Sequence, residues 1–377
     1  MKLNLQMNVF DAALSRLVEV YEQGHTVVVS QSGGKDSTIC MELAVMAADM
    51  AGRLPVNVIH RDEEILFPNT YEYLERVAAR PEINFHHVYA GQPVVNVFNR
   101  ENPYWWIFDE NIPREEWVRQ PPDYAHKIDE QNINALVTKE RFPTEEGKDI
   151  MACIGLRVQE SPNRRMGLFS SKGHITGKNK EGVKYIRPIY DWTDGDVWKA
   201  IQDFKWDYNH CYDVMVKHGR SKNKLRVAPL TMTQAGIPDL QLGQKAFPRW
   251  FDKVCHRLDG IRTAAQFGRM SCEPMRRSGE TWEECFKREC LEEAPDWIAD
   301  RAKKIMDSEL KKFKKQCPNE DFPQVSSIRA NPLGSWKKLA YTLWNGDPFS
   351  LKCNKLPYME PEFFRKGAGY WGGKPTF

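Results

Sequence analysis

Apolar residues recur at two different spacings along the first quarter of the chain. Steps of three and four residues predict helices with one apolar face, whereas a β-branched run such as Thr26–Val29 is typical of a strand buried in a parallel sheet. The two patterns alternate. They predict helices over Asn8–Gln23, Ser37–Met50 and Thr70–Ala79, and strands over His25–Ser30, Pro55–His60 and Ile83–Tyr89.

This alternation predicts an α/β fold, a doubly wound and mostly parallel sheet with helices on both faces. Further strands are predicted over Asp149–Leu156 and Tyr185–Ile189, and a helix over Asp194–Phe204 with Thr193 or Asp194 as its N-cap. In such sheets ligands bind beside the carboxyl ends of the strands. We therefore expect chemistry in the loop that follows the first strand.

Beyond residue 235 the pattern becomes almost entirely helical. Helices are predicted over Pro248–Leu258, Thr281–Ala294 and Pro295–Lys315, whereas the glycine-rich tail Pro357–Phe377 is predicted to be irregular. A chain of 377 residues exceeds the usual size of one hydrophobic core. We predict a sheet-containing domain over residues 1–235, with an insertion or lid at about residues 100–145, and an α-rich domain over residues 236–377.

Composition and length favour a folded, water-soluble protein. Hydrophobic residues make up 41% of the chain and charged residues 28%, and the net charge is only +3. The longest apolar stretches are far shorter than the roughly 20 residues that cross a bilayer, and the N-terminus lacks the apolar core of a signal peptide. Nine scattered cysteines then indicate reduced thiols. We expect a cytoplasmic protein with no membrane contact.

The segment between the first predicted strand and the next helix has the composition of an anion-binding loop. It reads Ser30-Gln31-Ser32-Gly33-Gly34-Lys35-Asp36-Ser37. Two successive glycines allow backbone N–H groups to converge on an anion, and the following helix adds the positive end of its dipole. Lys35 supplies a mobile charge, Ser32 and Ser37 supply hydroxyls, and Asp36 is a candidate for holding Mg²⁺ or bracing the loop. The spacing differs from the Walker motif and from the dinucleotide fingerprint.

The string Ser-Gly-Gly-Lys-Asp-Ser at residues 32–37 resembles the PP-loop of N-type ATP pyrophosphatases and of the phosphoadenylylsulfate (PAPS) reductase family. Asp62, followed by Phe67–Tyr71, takes the place of the Asp that closes the second strand in that family. Glu63 and Glu64 replace the usual Thr-Gly, which gives a more acidic loop suited to a divalent cation or a different substrate. The resemblance implies adenine-nucleotide binding, with Mg²⁺ near Asp36 or Asp62.

Three later stretches extend the resemblance over about residues 8–235. Gly155–Arg164 is similar to the family's Gly-x-Arg-x-x-(Glu/Asp/Gln)-Ser-x-x-Arg element, which implies that Arg157 and Arg164 grip substrate phosphates. Tyr185–Trp198 matches a stretch of the family that is mostly architectural, and Asp207–Asp213 is similar to the Tyr-Asn-x-x-Tyr-Asp turn that follows it, which we interpret as an active-site turn. The resemblance implies a HUP-type fold, similar to that of the adenine nucleotide alpha hydrolases.

The cysteines separate this chain from the assimilatory PAPS reductases. Those enzymes end in Glu-Cys-Gly-Leu-His, whose Cys is the nucleophile, and this sequence lacks that motif. The DNA phosphorothioation subunit, which the chain also resembles in its PP-loop, carries a cluster. Candidates for an iron–sulfur cluster or zinc are Cys255, Cys272, Cys285 and Cys290, and the alternative is that they are ordinary buried thiols, because no Cys-x-x-Cys pair occurs.

Basic residues are concentrated after the last part of the resemblance. Five Lys or Arg lie within Lys217–Arg226, and Lys172–Lys184 contains four more lysines. Such runs attract phosphodiester backbones, and the loop Arg220–Arg226 is a candidate contact for tRNA or DNA; the alternative is a solvated surface. Tyr104–Trp106 and Lys311–Lys315 allow the same two interpretations.

These features predict an enzyme that splits ATP into AMP and pyrophosphate to activate an acceptor by adenylation, in nucleic-acid modification or sulfur transfer. One alternative is a PAPS reductase or sulfotransferase that uses an unfamiliar cysteine, either Cys211 or one of the C-terminal cysteines. Another is a regulatory or defence module that senses a nucleotide together with a protein partner. Pyrophosphate release distinguishes the first from the last, and thiol-dependent sulfite release identifies the reductase.

Overall fold

The computed structural model describes residues 6–129, 136–170, 173–227, 229–326 and 334–367. Two compact units are present: unit 1 comprises Met1–Gln92 and Trp117–Pro229, and unit 2 comprises Pro93–Glu116 and Leu230–Phe377. Within the described ranges, every helix is too short or too polar to span a membrane. Lys172 and the end of the tail, residues 368–377, lie outside the described residues.

Helices and strands alternate in the first half of the chain, and helices dominate the second. The strands are β1 (Thr26–Ser30), β2 (Val56–Asp62), β3 (Ile83–Tyr89), β4 (Gln92–Val95), β5 (Tyr104–Ile107), β6 (His126–Lys127), β7 (Ile150–Cys153) and β8 (Val183–Ile186). The first six helices are α1 (Val9–Glu22), α2 (Lys35–Met50), α3 (Pro68–Ala78), α4 (Pro162–Ser170), α5 (Asp194–Phe204) and α6 (Cys211–Lys217). The others are α7 (Ile237–Ala246), α8 (Pro248–Arg257), α9 (Ile261–Phe267), α10 (Trp282–Lys287), α11 (Asp296–Gln316), α12 (Trp336–Leu343) and α13 (Pro361–Gly367).

Unit 1 is built on a six-stranded sheet with the order β6-β3-β2-β1-β7-β8, in which every paired strand is parallel to its neighbour. The chain lays down β2, β3 and β6 on one side of β1 and then returns to place β7 and β8 on the other. The carboxyl end of β1 is therefore the point at which the direction of winding reverses, where α/β sheets bind their ligands. The predicted doubly wound α/β fold is confirmed.

Both faces of β1 are buried, which explains its unbroken run of valines. Val27 and Val29 pack with α1 and α2 in one apolar cluster, whereas Val28 packs with Ile59 and Val88 in a second cluster on the opposite face. A central parallel strand is covered by helices on both sides and has no solvent face to make polar. This burial fixes the end of β1 rigidly and positions the loop that follows it.

The N-terminus of α5 was predicted correctly. Thr193 is the N-cap, and its side chain and that of Asp196 form a reciprocal capping box. Asp194 is the first helical residue, so its carboxylate lies at the positive end of the helix dipole. Among the predicted helices, Thr281–Ala294 differs most, because α10 ends at Lys287 and a π-helical turn follows over Arg288–Glu292.

Unit 2 is mainly helical, as the sequence predicted, but it also takes in Pro93–Glu116 from the first half of the chain. The insertion predicted at about residues 100–145 is thus divided between the units, and it supplies β5 and β6 rather than only a lid. Every residue of β5 is buried. Its aromatic and β-branched side chains are of the types that favour strands. The tail, predicted to be irregular, contains α13.

Candidate phosphate-binding site

The predicted PP-loop lies between the end of β1 and the start of α2. Ser30 ends β1, where it pairs in register with Ile59 of β2. Gly33 has a φ of +79°, the left-handed region that glycine adopts without strain. A Cβ on Gly33 would lie 2.6 Å from Cγ2 of Thr70, so the loop and α3 approach closely here.

Gln31 stabilises the loop through its side-chain amide, and it was not among the predicted site residues. Its Oε1 accepts hydrogen bonds from the backbone N–H of Gly33, at 2.9 Å, and from the hydroxyl of Ser37. The hydroxyls of Ser32 and Ser37 lie 3.2 Å apart. One buried amide therefore ties the two ends of the loop together.

Two residues from a distant stretch complete the support of the loop. Asn209 donates from Nδ2 to the carbonyl oxygen of Gly33 and to Oγ1 of Thr70, both at 2.9 Å. The hydroxyl of Tyr212 accepts a hydrogen bond from the backbone N–H of Lys35 at 2.8 Å. Both lie in Asp207–Asp213, which the sequence predicts to be an active-site turn without giving either residue a role, and the family resemblance of that stretch was the signal available to find them.

Lys35 is almost completely buried beside the loop rather than extended into solvent. Its Nζ lies 3.4 Å from Oδ2 of Asp36, 3.5 Å from Oδ1 of Asp194 and 3.3 Å from the carbonyl oxygen of Leu225. Two carboxylates and a backbone carbonyl therefore hold this buried positive charge in place beside the loop.

Arg157 braces the same group of side chains. Its Nε donates to Oδ1 of Asp36 at 2.6 Å, and its Nη2 donates to Oδ1 of Asp194 at 2.7 Å. Only 2% of the Arg157 side chain is exposed, and Nη1 is buried without a hydrogen-bond partner. The structure therefore brings Arg157 beside the loop and leaves its Nη1 without a partner among the described residues.

Asp36 braces the loop through Arg157 and Lys35, so neither of its oxygens is free of a cation. Gly155, at the start of the predicted Gly-x-Arg element, makes room for this contact, since a Cβ there would lie 2.7 Å from the backbone carbon of Asp36. Arg164 is more exposed than Arg157 and pairs with Glu160. Desolvation and the nearby positive charge of Arg226 lower the pKa of Arg164.

A polar cavity of about 280 Å³ opens at the centre of this arrangement. Lys35, Arg157 and Arg226 contribute its positive charge, and Glu160 and Asp194 contribute negative charge. A larger cavity of about 580 Å³ shares Asp194 and Leu225 with the first, and its walls include Trp198, Tyr208 and Tyr212. The site thus has a charged part next to an aromatic part.

Asp62 lies at the end of β2, as predicted, but it contacts a different set of side chains from Asp36. It accepts hydrogen bonds from His87 Nε2 at 3.0 Å and from Arg119, and its Oδ1 accepts from the backbone N–H of Glu64. Burial alone would raise the pKa of Asp62, but the hydrogen bond from His87 and the charge of Arg119 outweigh it and lower the pKa to about 2. Asp62 is therefore an ionised, fully buried carboxylate.

The four cysteines that were candidates for a cluster are not brought together. All four candidate cysteines are described, yet no three of them bring their sulfur atoms within 4.8 Å of one another. Cys285 and Cys290 are fully buried, and burial raises the pKa of both thiols. Cys255 belongs to α8 and Cys272 follows a short turn after α9, so separate segments hold them apart.

The two predicted basic regions differ in the charge that they leave available. In Lys172–Lys184, Lys178 and Lys184 both pair with Asp149, at 2.8 and 2.7 Å. In the loop Arg220–Arg226, Lys222 lines the aromatic cavity and Arg226 lines the polar one. The second region therefore contributes directly to the site.

The sequence model of the phosphoadenosine phosphosulfate reductase domain matches residues 26–217. Among curated proteins, YbdN of Escherichia coli strain K12, described as an uncharacterized protein, is 24% identical over 377 aligned residues, which cover 92% of this chain and 90% of YbdN.

Two solved structures illustrate the structural similarity. The FMN adenylyltransferase of Candida glabrata, in complex with FAD and inorganic pyrophosphate, is 11% identical with a TM-score of 0.35 over 54% of this chain and 58% of that one. The PAPS reductase of Candida auris, in a phosphate complex, is 15% identical with a TM-score of 0.31 over 57% of this chain and 94% of that one. The chain thus spans less than two thirds of the adenylyltransferase.

Proposed function

The chain belongs to the phosphoadenosine phosphosulfate reductase domain family, and from this membership we propose that it binds ATP at the PP-loop and releases pyrophosphate while it adenylates an acceptor. The polar cavity beside Lys35 carries this proposal. It places a buried ammonium group, a braced guanidinium group and the start of α2 around one space of phosphate size. Such a site stabilises the negative charge that develops on a leaving pyrophosphate.

The proposed reaction is displacement at the α-phosphorus of ATP. An acceptor oxygen forms a bond to this phosphorus while the bond to the bridging oxygen of the β-phosphate breaks, and pyrophosphate leaves with the electron pair. A nucleophile then displaces AMP from the activated acceptor. Lys35 and Nη1 of Arg157 face the leaving group in this scheme, and Asp36 and Asp194 hold both cations in position.

Magnesium enters this proposal with the nucleotide, as part of MgATP. Asp36 and Asp62 were the predicted Mg²⁺ ligands, but the first is paired with Arg157 and Lys35, and the second with His87 and Arg119. Mg²⁺ is commonly held by one or two carboxylates together with substrate phosphates. Asp36, the more exposed of the two, is the residue that we propose for contact with the ion.

We propose that the acceptor occupies the aromatic cavity. It shares a wall with the polar cavity, so a group bound there lies beside the reacting phosphate. Trp198 and Tyr212 meet edge to face, with ring centroids 5.2 Å apart, and offer apolar surface to a planar ring. Lys222 of the basic loop adds charge for a phosphodiester. A nucleoside of tRNA or DNA fits these properties.

The reductase alternative needs a reactive thiol at the site. Among the residues that the structure describes, no cysteine lines either cavity. In unit 1, Cys40, Cys153 and Cys211 are completely buried, and the first two lie in the apolar core. A buried structural thiol is a poor nucleophile. These positions favour ATP cleavage over thiol-dependent reduction.

The test is release of AMP and pyrophosphate from MgATP, with and without added tRNA or DNA. The variants are Lys35→Met, which removes the charge but keeps the length of the side chain, and Lys199→Met as a control on the exposed surface of α5. We expect Lys35→Met to lose at least about 100-fold in rate, the scale of one electrostatic contact in the transition state. Lys199→Met is expected to match the wild type.

Three other outcomes would contradict the proposal. Tight ATP binding without turnover under any condition indicates a nucleotide sensor. Sulfite release from PAPS in the presence of a dithiol indicates a reductase. Equal turnover by Lys35→Met and the wild type places the reaction elsewhere in the chain.

A further inference from the structure

Two histidines and a carboxylate meet beneath the PP-loop, outside both cavities. One ligand atom from each of His60, Asp62 and His87 lies within 4.8 Å of the other two, and all three side chains are buried. Among the described residues, no other set of three His, Cys, Asp or Glu side chains comes this close. The rings of His60 and His87 are nearly perpendicular, with centroids 5.0 Å apart.

The hydrogen bond of His60 fixes which of its nitrogens carries the lone pair. Nδ1 lies 2.8 Å from the carbonyl oxygen of Gln31, and a carbonyl can only accept, so Nδ1 is the protonated nitrogen. Nε2 is therefore a lone-pair donor, and it is buried with no hydrogen-bond partner. A histidine held by a backbone carbonyl through one nitrogen, with the other free, has the arrangement of a metal ligand.

Neither the fold nor the proposed reaction uses this lone pair. His87 is in a similar position, since Nε2 contacts Asp62 while Nδ1 is buried without a partner. A buried polar atom without a partner costs about 1–3 kcal/mol, and two such atoms lie in one cluster.

We propose that His60, Asp62 and His87 bind one divalent transition-metal ion. Two imidazoles and one carboxylate suit Zn²⁺, Co²⁺ or Fe²⁺, whereas Mg²⁺ prefers an all-oxygen site. Three protein ligands leave a coordination position open, as in catalytic rather than structural zinc sites. The proposal is independent of ATP cleavage, because metal binding can be measured without nucleotide.

Arg119 sets the strength of this site. Its guanidinium group contacts the Asp62 oxygen that faces His87, and it stacks 3.4 Å above the ring of Tyr71. A cation bound to the same carboxylate meets an unfavourable charge, so Arg119 weakens the binding of a metal. Removing this charge while keeping an apolar side chain should therefore tighten the site.

The site is connected to the PP-loop through a single residue. Gln31 accepts the hydrogen bond of His60 with its backbone carbonyl, and its side chain holds Gly33 and Ser37. A metal that fixes the ring of His60 also fixes this carbonyl. The metal therefore acts on the phosphate site as a positioning element beneath the loop.

The experiment measures metal binding to protein freed of metal by a chelator, without nucleotide. Zn²⁺ is titrated against a chromophoric competitor, and Co²⁺ absorption reports nitrogen coordination. His60→Asn keeps a donor for the Gln31 carbonyl but removes the lone pair, and His87→Gln keeps a donor to Asp62. His86→Gln is the matched control, because alternate residues of a strand point to opposite faces.

We expect the wild type and His86→Gln to bind one ion per chain. His60→Asn and His87→Gln should each lose at least 10–100-fold in affinity, since changes even to residues that orient ligands have effects of that size. Arg119→Met should bind on the order of tenfold more tightly. Circular dichroism confirms that each variant is folded.

The proposal is overturned if the wild type binds no stoichiometric ion, or if His60→Asn and His87→Gln bind as well as His86→Gln. Should both histidine variants fail to fold, Arg119→Met still decides the matter. Unchanged affinity in that variant would place any bound metal away from Asp62.

Discussion

Two separate constraints require glycine at position 33. Its φ of +79° is unfavourable for any side chain, and a Cβ would meet Thr70 at 2.6 Å. Thr70 cannot move easily, because it is completely buried and its hydroxyl is held by Asn209. The residue therefore couples the shape of the PP-loop to its contact with α3.

We predict that Gly33→Ala lowers the free energy of unfolding by about 2–4 kcal/mol and abolishes ATP binding. Roughly 1 kcal/mol comes from the backbone conformation, and the rest comes from the steric overlap. Gly147→Ala is the control, because Gly147 has a φ of +78° but no atom within 4 Å of the added Cβ. Urea unfolding should show a loss of about 1 kcal/mol for the control. Equal losses in the two variants would exclude the steric overlap.

Substitution of Arg157 tests whether its guanidinium group stabilises the loop or only binds phosphate. Arg157→Lys keeps the charge but cannot contact Asp36 and Asp194 together, so we expect a loss of about 2 kcal/mol in stability and about tenfold in ATP affinity. Arg16→Lys is the control, since Arg16 of α1 forms a two-bond pair with Asp191, which lines neither cavity. It should lose stability while ATP affinity is unchanged. Weaker ATP binding by Arg157→Lys at unchanged stability would show that Arg157 acts on phosphate alone.

Among the individual residues of the site, the sequence identified those that belong to one continuous motif. Lys35 and Gly33 follow from the loop motif, because its function depends on neighbours in the chain. Gln31 and Asn209 escaped detection, since their importance comes from hydrogen bonds that tertiary structure creates. Asn209 reaches Gly33 across 176 positions, and no spacing rule covers such a pair.

Elements were predictable where one local pattern was sufficient. The valine run of β1 and the capping residues of α5 determine their structure almost without tertiary information. The π-helical turn at Arg288–Glu292 and the short helix α13 were not predictable in this way. In the first, helical periodicity continues while the hydrogen-bond step changes, and periodicity alone cannot distinguish the two.

Asp149, just before β7, provides a pH-dependent contribution to the stability of the sheet near β7 and β8. Hydrogen bonds from Lys178 and Lys184 lower its pKa to about 2. A lowered folded-state pKa gives stability that is present above about pH 4 and is lost as the pH falls from about 4 to 2. We predict that Asp149→Asn is less stable than wild type by about 1 kcal/mol at pH 7, because the partly exposed lysines are screened by solvent.

Urea unfolding between pH 3 and pH 7 measures this difference. It should shrink below pH 4, because the unfolded wild type then takes up a proton at Asp149 while the folded wild type, with a pKa of about 2, stays largely ionised until a lower pH. Asp203→Asn, which removes an exposed pair with Lys199, should differ from wild type by only a few tenths of a kcal/mol. A difference for Asp149→Asn that stays constant down to pH 3 would contradict the assignment of this effect to the ionised carboxylate.

The whole molecule is less modular than its sequence suggests. A boundary predicted at residue 235 lies close to the break at Pro229, because the change from alternating to helical pattern is a property of the sequence itself. The assignment of Pro93–Glu116 to unit 2 was not visible in this way. Aromatic residues at positions 104–106 indicate burial but not which core buries them.

In the sequence, Pro93–Glu116 of unit 2 lies between the two segments of unit 1, and this predicts which fragments of the chain are soluble. Within unit 2, Tyr104 and Trp106 pack with Phe364, and the carbonyl oxygen of Trp106 accepts a hydrogen bond from Arg257. A fragment that ends at Pro229 keeps both aromatic residues but loses the core that covers them. We therefore expect it to aggregate and to bind an apolar dye, since large exposed aromatic patches promote association.

The matched fragment also ends at Pro229 but replaces residues 93–116 by an equally long Gly/Ser chain, which can span the same gap. It should be monomeric, keep the far-ultraviolet circular dichroism of unit 1 and bind ATP with an affinity within about threefold of that of the full chain. This follows because the PP-loop, Arg157, Asn209 and Tyr212 all belong to unit 1. Equal solubility of the two fragments would mean that residues 93–116 do not depend on unit 2 for their burial. Loss of ATP binding in the soluble fragment would contradict the proposal that the residues of unit 1 are sufficient to bind the nucleotide.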